Sequence, residues 1–101
     1  MRTDSHEWVR KEGGVAIVGI TKRASQELGE IVYVDLPKVG QRVQKGEEVV
    51  VLESTKAAVD SYAPLDGVVV EVNEVLVSRP ELVNRDPEKD GWLYKLALLK
   101  V

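Results

Sequence analysis

A mostly β domain, folded as a small sandwich or flattened barrel, is what this 101-residue sequence predicts. Valine dominates the apolar content and falls in short bursts such as "EIVYVDL", "EEVVVLES" and "GVVVEVNEV", and β-branched runs of that length suit a pleated, half-buried surface. Clusters of Gly, Pro and Asp separate the bursts at the spacing expected of paired strands. The size is right as well: one domain spanning residues 1–101 can bury about 65% of the surface its unfolded chain exposes. Apolar residues at 44% and charged residues at 31% give a globular balance that argues against disorder and against a coiled coil.

Taken in order, strands are expected near residues 6–12 and 15–20, joined at Gly13-Gly14, where two glycines accept positive φ without steric penalty. "TKRASQELG" then changes period. Thr21 suits an N-cap, Ala24 and Leu28 share a face four residues apart, and Gly29 suits the C-terminus, so a short helix is expected there. "VGQRVQKGEEVVVLES" and "APLDGVVVEVNEV" each run from a Gly-bearing turn into a valine strand. That pairing fits a flattened barrel with Lys56 on the turn joining two halves. In "SRPELVN", Ser78 and Glu81 stand at capping-box spacing with Pro80 in the first turn, predicting a second short helix. "RDPEKDGW" reads as a polar connection into the last strand.

Composition excludes several classes of function. Lys plus Arg number 14 against 17 Asp plus Glu, a net charge of −3 with no basic window carrying interleaved aromatics, so no nucleic-acid partner is expected. Apolar stretches such as Val49–Leu52 and Val68–Val70 are far too short for a membrane span, and a soluble monomer is expected. The absence of cysteine removes disulfides, thiolate metal sites and cysteine nucleophiles together. His6 is the single histidine, which rules out a multi-histidine metal site and reads best as a hydrogen-bonded strand position. Trp8 and Trp92 read as core anchors in strand segments, Tyr62 reads equally as lining a hairpin base or as packing, and the carboxylates show no spacing suited to paired acid/base catalysis. The N-terminus "MRTDSHEW" has neither the apolar core of a secretory signal nor the acid-poor composition of a transit peptide. Bacterial cytoplasm is therefore the expected location, with the mitochondrial matrix for a processed form.

The stretch that asks for chemistry is "LESTKAAVDSYAP". An exposed lysine with an ordinary pKa of about 10.4 is protonated and a poor nucleophile at neutral pH, and Schiff-base chemistry needs a desolvated or cationic neighbourhood that this stretch, with Glu53 and Asp60, does not offer. Most lysines in turns are only solvated. Here Ala57 and Ala58 leave the approach to Lys56 clear for something bulky, which fits an amine presented to another enzyme.

"ESTKAAVDSYAPLDGVVVEVNE" resembles the lipoyl-attachment segment of the glycine cleavage system H-protein family, and "SHEWV", "VGIT", "LGEIVYVDLPKVG", "PELVN" and "DGWLYKL" resemble successive family blocks in the same order. The resemblance implies the flattened hybrid barrel/sandwich of lipoyl carriers, with two short helices and the lysine on a hairpin turn. It implies lipoic acid in amide linkage on Lys56, installed by a lipoate ligase or lipoyl transferase. Glu53, three residues before the lysine, Ala57, and Gly67, which matches a glycine turn setting the hairpin, are the implied recognition residues. Thr55 replaces the family's common valine. Thr55 and Ala57 stand where a biotin carrier would place methionines.

The family is a non-catalytic shuttle. A pyridoxal-phosphate glycine decarboxylase (P protein) loads an aminomethyl group on the lipoyl arm, a tetrahydrofolate-dependent aminomethyltransferase (T protein) unloads it with release of ammonia, and dihydrolipoamide dehydrogenase (L protein) reoxidises the dithiol. Lysine stem and lipoyl chain together contribute about ten bonds of roughly 1.5 Å, a reach on the order of 12 Å after zigzag. The arm can thus enter a partner's site while the domain stays outside, and tethering replaces diffusion by an effective concentration. The resemblance also implies a resting cleft that keeps water from the loaded arm, formed by Ser5, Glu7 and Asp60, with Glu7 the principal partner of the ammonium and the other two hydrogen-bond acceptors. The competing reading of Glu7 is an ordinary exposed strand carboxylate.

The family's acidic C-terminal helical segment finds no counterpart beyond Val101. A second expectation follows, an H-like relay that donates lipoyl groups to other enzymes. A third is an unmodified β scaffold, and a lysine-based catalyst, which would turn over without partners, is a fourth.

Overall fold

The computed structural model describes residues 6–98 and places strands where the valine bursts stand. β1 (Glu7–Glu12) and β2 (Val15–Ile20) pair antiparallel, with Glu12 opposite Val15 across the glycine turn. Only Gly13 of the two glycines takes positive φ, at 62°. α1 (Lys22–Leu28) starts on Thr21, whose Oγ1 accepts from Ala24 N at 3.2 Å, and ends on Gly29 at φ 82°. β3 (Ile31–Asp35), β4 (Arg42–Val43), β5 (Glu48–Ser54), β6 (Ala58–Tyr62) and β7 (Gly67–Val72) follow. Two four-residue helices, α2 (Val75–Ser78) and α3 (Leu82–Arg85), precede β8 (Tyr94–Leu98).

The strands form two antiparallel sheets, one ordered β1-β2-β8-β7-β4 and the other β3-β5-β6. Both contribute to one core, in which Val18, Val69 and Leu96 of the larger sheet meet Val34, Val50 and Leu52 of the smaller. A hybrid sandwich results, the fold class expected. The Lys56 turn links β5 to β6, and both arms lie in the three-stranded sheet. It therefore joins the two similar stretches of sequence without crossing between sheets, and only β7 returns to the larger sheet.

The second helical segment departs from its expected form. Ser78 closes α2, its hydroxyl donating back to Val75 O at 3.3 Å, and no side chain caps either α2 or α3. The buried Leu76 and Val83, each 0% exposed, place these helices. Helices this short gain their stability from tertiary packing rather than from local signals, so two buried anchors outweigh one favourable capping pattern. The described residues thus hold three short helices where two were expected.

Trp8 is a core anchor, as expected. Its indole lies against Gly19, where a Cβ would stand 2.5 Å from the ring, and its Nε1 donates to Pro87 O at 2.9 Å. Trp92 instead precedes β8, is half-buried, and has the Lys95 ammonium 5.0 Å from its ring centre. His6 also lies outside a strand: it precedes β1 with φ 68°, is exposed, and its carbonyl accepts from Thr21 N at 2.9 Å. No helix among the described residues is long and apolar enough to cross a membrane.

Candidate functional site

The lysine turn is organised by its own sequence. Ser54 Oγ accepts from Lys56 N and Ala57 N, both at 3.1 Å, and donates to Ala57 O at 3.0 Å, while Ser54 N donates to Ala57 O at 2.9 Å. A serine hydroxyl both accepts and donates, so one side chain closes the loop locally. Thr55 N donates to Glu30 O at 3.0 Å, which braces the turn on the segment after α1. Lys56 is exposed, and its stem lies along Gly29, where a Cβ would be 3.4 Å from Lys56 Cε. Ala57 is exposed, and Glu53 is exposed on β5 between Tyr33 of β3 and Ala58 of β6.

A cleft of about 120 Å³ is lined by His6, Glu7, Ile20, Ala24, Glu27, Leu28, Leu52, Val59, Asp60 and Ser61. Its walls come from the end of β2, the inner face of α1, and β5 and β6. The apolar residues give a dry lining, and three carboxylates stand around it. Such a cleft suits an aliphatic chain ending in a cation: methylenes bury without unmet polar groups, and a positive end finds negative partners.

Glu7 is not the exposed strand carboxylate of the competing reading. It is 2% exposed, and its Oε2 accepts from Ser61 Oγ at 2.9 Å and from Tyr62 N at 3.3 Å. These bonds tie the first strand of one sheet to the edge strand of the other. Asp60 is half-buried on the same cleft. Ser5 lies outside the described residues. Tyr62 is exposed at the base of the β5–β6 hairpin, opposite Glu48, rather than packed in the core, and its backbone serves Glu7.

Gly67 lies in a strand rather than in a turn. It is buried at the start of β7, paired with Leu98 and Val43, and a Cβ there would stand 2.7 Å from Ala97 O. What the position demands is close approach of two strand backbones. Among the described residues no group of three or more His, Cys, Asp or Glu could hold a metal ion.

Several contributors escaped sequence reasoning. Leu28 reaches the cleft because it follows Ala24 on the inner face of α1, and the Ala24–Leu28 spacing was the available signal, whereas Glu27, exposed and paired with Arg23 at 3.2 Å, borders it from the solvent side. Ser61 and Val59 carried none. Tyr94 is 0% exposed, and its hydroxyl has no hydrogen-bond partner among the described residues. Burial drives its pKa well above the ordinary tyrosine value, and the Glu7 charge adds to the shift.

The family model described as glycine cleavage H-protein matches residues 1–101. The chain is 58% identical over 96 residues to a glycine cleavage system H protein of Thermotoga maritima, covering 95% of this chain and 77% of that one. It is 54% identical over 96 residues to the protein of the same description from Bartonella quintana, covering 95% and 79%. A crystal structure of a glycine cleavage system H protein from Mycobacterium marinum superposes with a TM-score of 0.91 at 40% identity, over 99% of this chain and 84% of that one.

Proposed function

Because this chain belongs to the glycine cleavage H-protein family, non-catalytic carriers of glycine cleavage, we propose that Lys56 is its attachment point for a lipoyl group in amide linkage. The observation that carries the assignment is the seat of Lys56: an exposed amine on a turn held by Ser54 and Glu30, its stem lying along Gly29, the residue that follows Leu28 of an apolar, acid-rimmed cleft. When bound, the lipoyl disulfide supplies two sulfurs, one to take the aminomethyl cargo of glycine and one to leave as a thiol.

The chain's own residues then have separable tasks. The Ser54 loop presents Lys56 outward to a lipoate ligase or lipoyl transferase, with Glu53 and Ala57 in the surface that such an enzyme meets. Ile20, Ala24, Leu28, Leu52 and Val59 line the cleft with hydrocarbon and keep water from the arm at rest. Glu7, already fixed by Ser61 and Tyr62, accepts the cargo's ammonium, with Asp60 and Ser5 as further acceptors. The buried hydrogen bonds of Glu7 supply the order that a charge partner needs, since a carboxylate held in one rotamer loses little entropy on pairing.

The partners in this reading are the pyridoxal-phosphate glycine decarboxylase, the tetrahydrofolate-dependent aminomethyltransferase and dihydrolipoamide dehydrogenase, visited in turn by a monomer in the bacterial cytoplasm. Intact-mass spectrometry of the chain made alongside a lipoate ligase tests the attachment. A lipoyl increment on the wild type that disappears in Lys56→Arg is expected. An unmodified wild-type chain, or an increment that survives the substitution, refutes it.

A further inference from the structure

We propose that Asn84 is a positioning residue for Lys56, holding from α3 the backbone on which the lysine turn rests; the proposal takes from the preceding reading that Lys56 is the modified residue. The Asn84 side chain makes two hydrogen bonds to one three-residue segment. Its Nδ2 donates to Gly29 O at 2.7 Å, and its Oδ1 accepts from Ile31 N at 2.8 Å. The carbonyl between those two groups, Glu30 O, is the one that accepts from Thr55 N, and Gly29 is the residue against which the Lys56 stem lies. One amide therefore clamps Glu30, whose carbonyl supports the turn, from both sides.

The residue type follows from the task. A primary amide offers a donor and an acceptor on one planar group, as a neighbouring strand would, whereas a carboxylate lacks the donor. The segment needs that outside partner because the chain leaves α1 through Gly29 at φ 82°, a conformation side-chain-bearing residues avoid, before β3 begins at Ile31. Asn84 is in turn held in place. It sits on α3 between Val83, fully buried, and a helix end, and Ser25 Oγ of α1 donates to Val83 O at 3.0 Å. The contacts run without a gap from the helix to the lysine: Asn84, Gly29–Ile31, Thr55, Lys56.

Amide hydrogen exchange on the unmodified full chain, followed by NMR, tests this without reference to lipoylation. In Asn84→Ala, protection of the Thr55 amide falls about tenfold while the Leu93 and Val69 amides, bonded to Val18 O and Gln41 O, stay within about twofold of wild type. Asn84→Asp keeps an acceptor for Ile31 N but sets a carboxylate against Gly29 O, and gives the same selective loss. A companion measurement, kcat/KM for acylation of Lys56 by a lipoate ligase, falls about fivefold in both variants, as the amine spends less time in the presented geometry. Thr55 protection that is unchanged, or that falls only in step with Leu93, overturns the proposal. Failure of the attachment reading looks different: the wild type itself stays unacylated at Lys56, whatever the Thr55 amide does.

Discussion

Gly67→Ala separates a recognition residue from a packing residue at a position where the two readings predict different losses. The new Cβ would stand 2.7 Å from Ala97 O and 3.1 Å from Leu96 Cβ. Ordinary contact begins near 3.4 Å, so β7 and β8 must part by several tenths of an ångström along a line where Gly67 pairs with Leu98. Neither contact is the far end of a flexible side chain, and the backbone itself has to give. Overpacking of this kind costs about 1–3 kcal/mol, and the loss of unfolded-state freedom from Gly to Ala returns about 0.4–1 kcal/mol. A net loss of about 1–2 kcal/mol is expected, and with a urea m-value near 1–1.5 kcal/mol/M the midpoint drops by about 1 M. Urea unfolding followed by tryptophan fluorescence gives that number, and lipoylation measured under conditions where the variant is folded gives the other. The expected pattern is a lowered midpoint with acylation of Lys56 within about twofold of wild type, as packing away from a reactive group changes stability before it changes chemistry. An unchanged midpoint with lost acylation would refute the packing argument and restore a recognition role to Gly67.

Two further substitutions probe the cleft and the core. Glu7→Gln keeps the shape but removes the charge. A charge-assisted hydrogen bond exceeds a neutral one by about 1–1.5 kcal/mol, so release of the cargo to water from the loaded arm accelerates about tenfold; an unchanged hydrolysis rate removes Glu7 from the mechanism. Tyr94→Phe tests the buried phenol through pH. Because burial, aided by the Glu7 charge, raises its folded pKa, the native state keeps its proton where the unfolded state loses it. The stability that this contributes is complete below the ordinary value of about 10, and declines by up to about 1.4 kcal/mol per pH unit as pH rises toward the folded value. Urea titrations above pH 10 should show that slope in the wild type and its absence in Tyr94→Phe, and equal slopes in the two proteins would remove the phenol as its source.

The elements legible in the sequence are those whose signals are local. The β1–β2 hairpin follows from paired glycines between valine strands, α1 from a threonine cap and an Ala24–Leu28 face, and the presented lysine from a polar turn with alanines beside it. In each, the deciding interactions lie within a few residues: Thr21 Oγ1 meets Ala24 N, and Ser54 Oγ meets the amides of Lys56 and Ala57. Where one local pattern competed with burial it lost, as Ser78 shows by closing α2 instead of opening a helix.

By itself the sequence determined the β class, the order of its main strands and the amine that faces solvent, because period, branching and turn chemistry act over a few bonds. Tertiary structure alone decided the state of Glu7. β1 begins with three consecutive buried residues instead of alternating ones, since β6 meets Glu7 on one face while Gly19 and the Pro87 segment cover Trp8 on the other, and the hydroxyl that meets the carboxylate is 54 residues away. The same holds for Gly67, whose missing side chain makes room for a carbonyl of β8, and for Asn84, whose amide reaches back across more than half the chain. Whether a polar group is buried with partners or left to water depends on which distant backbone arrives beside it, and no window along the chain contains that information.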